Sequence, residues 1–279
     1  MQNAKGVLKR AIVGPVASAV SMLGSSKRRR DALLPPIARS AFLESIPKFK
    51  SVLEIGPFDN PQITGEGVAY FDVLDQEGLR KRAVQEEHDP AGCPVIDFVS
   101  DCGDLSIISG PFDAVFSAHV VEHQHNLIQH LLDVGRLLKP GGRYYLVIPD
   151  KRYCFDYFLK TSTVENVVEA ADKGPSKNVE RAIHDSYYNL AHGVPMKHWL
   201  GLHGKRVMHP GMDKADCEPA IESYRLGNYR DVHAFQFTPS SFQAICTSLY
   251  SSKRSPLRPV AVHDTRFSAL EFFAILEKP

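Results

Sequence analysis

The chain has 279 residues, 43% hydrophobic and 23% charged, enough for one large α/β domain with an insertion or for two small domains. A net charge of +1 supplies no bulk field for nucleic acid, which is not an expected partner. The five cysteines, Cys93, Cys102, Cys154, Cys217 and Cys246, are odd in number and include no C-x-x-C pair. They point to free thiols in a reducing, cytoplasmic setting and argue against a cysteine zinc site.

Lys5, Lys9 and Arg10 precede an apolar run from Ala11 to Gly24 that Gly14 and Pro15 interrupt. The run is too short to span a bilayer. Ala17-Ser18-Ala19 resembles a signal-peptidase site, but the interruption and the free thiols favour a basic amphipathic leader. Such a leader would pack on the domain or touch a membrane surface. Residues 31–50 read as a helix entering the core, with Ala38, Phe42, Leu43 and Ile46 at helical spacing.

Val52-Leu53-Glu54-Ile55 reads as a buried first strand that runs straight into Gly56. A strand ending in a glycine turn is how open α/β folds begin a nucleotide pocket. Strands are expected at 68–73, 95–99, 113–118 and 143–148, with a charged helix at 75–87. The strongest helix spans Val121 to Leu138, with Leu127, Leu131, Val134 and Leu138 on one face. Lys139-Pro140-Gly141-Gly142 stops it. Residues 151–232 break the alternation and read as a helical insertion, either a substrate cover or a dimerisation arm. Thr238 and Pro239 then start a closing helix, and strands at 257–264 and 271–277 end the chain. The alternation implies a parallel sheet with helices on both faces.

Glu54, Asp72 and Asp101 fall at or just past strand C-terminal ends, with Ser117, Ala118 and His119 after strand four. Open α/β sheets bind their ligands there. A carboxylate after strand two suits a ribose diol, because it accepts two hydroxyl hydrogen bonds. One after strand three can accept from an adenine amine. Asp75 competes for the first role and Asp104 for the second. Nothing resembles a phosphate cradle with a lysine, so an adenosine ligand without a phosphate chain is expected.

LEIG at 53–56, FD at 71–72, Asp101 spaced from Leu105, FDAVFSAHVVEH at 112–123 and LLKPGGRYYLVIPD at 137–150 resemble the class I S-adenosylmethionine-dependent methyltransferases. The resemblance covers roughly residues 50–150 and 233–279. It implies a Rossmann-like, doubly wound, mostly parallel seven-stranded sheet with a C-terminal antiparallel hairpin. The cofactor domain would span 51–150 and 233–279, after an N-terminal segment of 1–50. PDKRYCFD at 149–156 and DVHAFQFTPSSF at 231–242 resemble a bacterial subgroup linked to glycan and cell-surface polysaccharide modification. S-adenosylmethionine is then the implied cofactor and a small-molecule or glycan hydroxyl the implied acceptor. By that resemblance Gly56 and Pro57 approach the methionine part and Glu54 holds its amino group. Asp72 takes the ribose, and Asp101 with the backbone of Cys102 meets the adenine. Ser117, Ala118 and His119 line the sulfonium. Asp150, Arg152 and Tyr153 would stand at the mouth of the substrate side.

A histidine near neutral pKa suits removal of a hydroxyl proton. His119 is the first candidate base and His233 the second. His119 and His123 have the i, i+4 spacing of a helical zinc pair, and His125 and His130 follow. No H-E-x-x-H is present, so no metal is expected. The competing functions are a non-catalytic cofactor-binding module and a metal-dependent hydrolase using His119 and His123.

Overall fold

The computed structural model describes residues 32–47, 51–174, 176–209 and 212–279. The basic leader expected before residue 31 lies outside the described residues. Of the helix expected at 31–50, the structure shows α1, Arg39–Glu44, with Phe42 fully buried.

Seven strands form one sheet in the order β3-β2-β1-β4-β5-β7-β6. They are β1 (Val52–Ile55), β2 (Val68–Asp72), β3 (Phe98–Val99), β4 (Phe112–Ala118), β5 (Leu138–Pro149), β6 (Arg258–Val262) and β7 (Glu271–Glu277). The first five run parallel, and β7 pairs antiparallel with both β5 and β6. β1 is buried at every residue, as expected of a central parallel strand covered on both faces. β3 is shorter than expected. Only Phe98 and Val99 pair with β2, and Val95 is exposed at this sheet edge.

Helix α2 (Gln76–Gln85) starts at Asp75, whose carboxylate accepts from the Gly78 N–H at 2.8 Å. Helix α3 begins later than the hydrophobic pattern suggests. Residues 121–123 form a 3-10 turn, Asn126 caps, and the helix runs Leu127–Leu137. Leu127, Leu131, Val134 and Leu138 are all buried, so the apolar face is as read, while Leu132 is exposed. Lys139 to Gly142 do stop the helix, but they already belong to β5. Gly141 takes φ +76°, open to glycine without steric cost.

The segment 151–232 does not stand apart from the sheet domain. Its helix α4 (Val164–Lys173) buries Val167 and Ala170 in the main core with α3 and the closing helix. Helices α5 (Ser176–Tyr188) and α7 (Cys217–Arg225) pack on each other through Val179, Ile183, Ala220 and Ile221. Between them lies the short α6, Pro195–Trp199. The closing helix α8 runs Pro239–Ser251 with Thr238 and Ser241 in a reciprocal capping box. No helix among the described residues is long and apolar enough to cross a membrane.

Candidate active site

A cleft of about 670 Å³ opens at the C-terminal ends of β1, β2 and β4. This is the size of a small-molecule pocket. Its apolar wall includes Ile55, Phe71, Leu79 and Leu105. At the β1 end the chain turns at Gly56, which has φ +70°, and a Cβ there would stand 2.8 Å from Val120 Cγ2. Glycine is required at this point for both reasons.

Asp72 ends β2 and lines the cleft, with only 8% of its surface exposed. Its Oδ1 accepts from the Val73 N–H at 2.7 Å. Burial pushes its carboxyl up, against the backbone N–H groups of Val73, Leu74 and Phe58, which favour the anion. Asp75 is committed to its helix cap, so Asp72 is the acid presented to the cleft. After β3 the cleft is lined by Cys102, Gly103 and Asp104, while Asp101 is exposed and outside the lining. Asp104 accepts from the N–H and hydroxyl of Ser106, which holds its carboxyl below the usual range.

Other residues expected in the cofactor set take different places. Glu54 is buried and does not line the cleft. Its carboxylate accepts from the Gln62 and Ile63 N–H groups at 2.9 Å and so closes the loop that follows Gly56. Pro57 is likewise absent from the lining. Ser117 turns inward, 2.7 Å from the Tyr144 hydroxyl. Ala118 and His119 do line the cleft. Asp150, Arg152 and Tyr153 do not. Asp150 is fully buried and accepts from Arg152 Nη2 and Thr265 Oγ1, both at 2.6 Å. Tyr153 stacks on Trp199 with ring centroids 3.8 Å apart. These three tie the start of the insertion to the β6–β7 connection instead of meeting a ligand in this cleft.

The histidines separate into two groups. His130 is fully buried against the Tyr144 hydroxyl at 2.9 Å, and burial pushes its imidazole down to about 4. His125 stacks on Tyr229 and contacts the Arg230 carbonyl. Both also line the cleft. His119 does not belong to a helix with His123, because it sits at φ +54° immediately after β4. Its Nε2 is 3.0 Å from Glu271 Oε2, and Arg39 holds that carboxylate from the other side. Burial pushes Glu271 up, but His119 and Arg39 outweigh it and hold the carboxyl below its usual range. An ionised Glu271 can only accept, so Nε2–H of His119 donates to it and Nδ1 stands 3.7 Å from Glu122 Oε1.

His233 lies outside the cleft lining and behind His123, the two rings meeting edge to face at 4.6 Å. Its Nδ1 is 2.6 Å from Asp156 Oδ2. Burial alone would depress this imidazole, but Asp156 and then Glu122 push it up to about 9. A histidine held in that way is protonated at neutral pH and is a poor base. Between these rings lies Glu122, fully buried, with both oxygens lacking a hydrogen-bond partner. Glu122, Asp156, Tyr229, Asp231 and Glu271 were not singled out from the sequence, although three of them stand inside noted motifs: VEH, PDKRYCFD and DVHAF.

Glu54 makes a stability prediction. Burial, partly offset by its backbone hydrogen bonds, raises its carboxyl from about 4.5 to about 7. Between those values the folded chain holds a proton that the unfolded chain has lost, so stability falls as pH rises and is flat above 7. The loss from this group is on the order of 3 kcal/mol at ~1.36 kcal/mol per unit. Urea denaturation at pH 5 and pH 8 should show this drop in the wild type and a much smaller one in Glu54→Gln. Equal drops in both proteins would assign the effect elsewhere.

The residues present fit S-adenosylmethionine. The glycine turn leaves room for close approach, one buried acid ends β2, and the apolar wall suits an adenine ring. A family model described as a methyltransferase domain matches residues 70–146, which run from β2 into β5. Among solved structures, the chain is similar to the CcbJ methyltransferase from Streptomyces caelestis, with 13% identity, 86% of this chain and 93% of that chain covered, and a TM-score of 0.42. A SAM-dependent methyltransferase from Aquifex aeolicus matches at 12% identity over 86% of this chain and 87% of that chain, TM-score 0.39. The Burkholderia thailandensis 1,6-didemethyltoxoflavin-N1-methyltransferase, with S-adenosylhomocysteine bound, matches at 14% identity over 86% and 75%, TM-score 0.38. A search of curated proteins finds no match. The segment that matches a methyltransferase domain thus runs from β2 into β5, the part of the sheet whose strand ends frame the cleft.

Proposed function

We propose that the protein methylates a hydroxyl oxygen of a small-molecule or glycan acceptor, in the reducing cytoplasmic setting that its free thiols suit, with the segment 151–232 supplying the acceptor side. The observation that carries this reading is that Tyr229 and Asp231, from the end of the insertion, line the same cleft as Gly56 and Asp72. The cleft carries polar groups at His119, His123, Tyr229 and Asp231 and an apolar wall at Ile55, Phe71, Leu79 and Leu105. Such a division suits an acceptor rich in hydroxyls.

S-adenosylmethionine supplies an electrophilic methyl group when bound. Asp72 would hold the ribose, and the backbone from Cys102 to Asp104 would face the adenine. Orientation of the acceptor supplies much of the acceleration in such a displacement, because charge is dispersed and not built up. His119 removes the hydroxyl proton at Nδ1, and Glu271 fixes the ring and stabilises the imidazolium that forms.

Conversion of S-adenosylmethionine to S-adenosylhomocysteine over a panel of hydroxylated acceptors tests the proposal. Deleting the insertion is not a clean test, since Val167 and Ala170 belong to the main core. Tyr229→Ala is the better probe and is expected to raise the acceptor KM while leaving cofactor affinity unchanged. A product methylated on nitrogen would overturn the oxygen assignment, and cofactor binding with no transfer to any acceptor would favour a binding module.

A further inference from the structure

Glu122 is fully buried, and neither of its carboxylate oxygens has a hydrogen-bond partner. A buried anion left in that state is costly unless a cation meets it. Three imidazole nitrogens surround Glu122 Oε1. His119 Nδ1 and His123 Nε2 are 3.7 Å away, and His233 Nε2 is 4.0 Å away. All three separations are too long for a hydrogen bond.

We propose that Glu122, His123 and His233 form a binding site for a divalent first-row transition metal ion. One ligand atom from each of the three lies within 4.8 Å of the other two. Ligand atoms about 2.1 Å from a metal can stand at most about 4.2 Å apart, and about 3.4 Å apart in a tetrahedron. The separations from Glu122 therefore need only a small closure. Two imidazoles and a carboxylate suit zinc, iron or cobalt and do not suit magnesium or calcium.

The surroundings of the two rings carry the proposal further. Metal-binding histidines present one nitrogen to the ion while a carboxylate holds the other. His233 does this with Nδ1 against Asp156 at 2.6 Å and Nε2 toward Glu122. His123 does the same with Nδ1 2.8 Å from Asp231, although that contact is out of hydrogen-bond alignment. Asp231 is in turn gripped by Arg82 at 2.6 Å. The chain also fixes the ligands relative to one another, because the Phe235 N–H donates to the Glu122 carbonyl at 3.1 Å and so locks the His233 segment beside Glu122. The sequence holds no H-E-x-x-H motif, the ground on which no metal is expected from it. The cluster instead joins adjacent residues of a 3-10 turn to a histidine more than a hundred positions away.

Three protein ligands leave at least one coordination position for water or another oxygen. His123 lines the cleft, so the ion would stand at its edge. There it would hold an acceptor oxygen and lower its pKa. That role rests on the transfer reading above, whereas binding of the ion does not.

The test is cobalt binding to the full chain after chelator dialysis, read by visible absorption and by metal analysis at about pH 8, with release of ligand protons accompanying binding. One equivalent of Co²⁺ is expected, displaceable by Zn²⁺. Glu122→Gln and His233→Ala should abolish stoichiometric binding. Asp156→Asn, which preserves shape, should weaken binding about 10–100-fold. S-adenosylhomocysteine affinity and far-UV circular dichroism report whether each variant is folded. Wild type that binds S-adenosylhomocysteine but takes up no cobalt would overturn the site and leave imidazolium rings as the counter-charge to Glu122. Cobalt binding that persists in folded Glu122→Gln and His233→Ala would overturn it equally. Cobalt binding without any methyl transfer would support the site and count only against the transfer reading.

Discussion

His119→Ala should lower kcat by ~10²–10⁴ with little change in cofactor affinity, the range for a lost general base. The ring sits on a strained backbone position, φ +54°, at the C-terminal end of the strand that forms the cleft wall. Non-glycine residues adopt that conformation at some cost and persist in it when the surroundings over-determine them. Here the determinants are visible. The His119 N–H donates to the Val147 carbonyl at 3.0 Å, and the side chain is held by Glu271. Glu271→Gln separates basicity from position. The amide can still accept from Nε2 but offers no charge to stabilise the imidazolium, so kcat should fall less than in His119→Ala. Single-turnover kinetics across pH 6–9 would compare the two variants. A His119→Ala enzyme with near wild-type kcat throughout that range would remove histidine base catalysis at this position. His233, protonated against Asp156, is the weaker alternative.

Asp72→Ala should weaken S-adenosylhomocysteine binding by tenfold or more in calorimetry. A charge-assisted hydrogen bond contributes on the order of 1.5–3 kcal/mol, and ~1.4 kcal/mol is one decade of affinity. Asp75→Ala should leave affinity nearly unchanged and instead cost about 1 kcal/mol of stability, the worth of an N-cap. Of the two acids, only Asp72 lines the cleft, while Asp75 is spent on the Gly78 N–H. A larger affinity loss in Asp75→Ala would place the ribose elsewhere. Asp72→Asn adds a further check. Asparagine keeps an acceptor oxygen but lacks the charge, so it should bind more tightly than the alanine variant and less tightly than wild type.

Much of the architecture is legible in local sequence. The periodicity of Leu127, Leu131 and Val134, the caps at Asp75 and Thr238, and the buried run Val52 to Ile55 all reflect burial that repeats within one element. Such patterns are set by the 3.6-residue and two-residue repeats of helix and strand, and they survive whatever the rest of the chain does. The helix starts at Leu127, six residues after the expected Val121, and β5 starts at Leu138, because apolar residues continue through the turn into the helix and from the helix into β5.

The sequence by itself determined the alternating α/β order, the glycine turn after β1 and the acid ending β2, because each depends on residues within one strand–turn unit. Only the tertiary structure decided which acids and histidines are free to act. Glu54 closes a loop eight residues on, and Asp150 neutralises Arg152 and accepts from a threonine 115 positions away. His119 meets Glu271 across 152 residues, and Asp156 meets His233 across 77. Nothing in local spacing encodes these pairings. The charge state and reach of a side chain depend on the partners that folding brings to it.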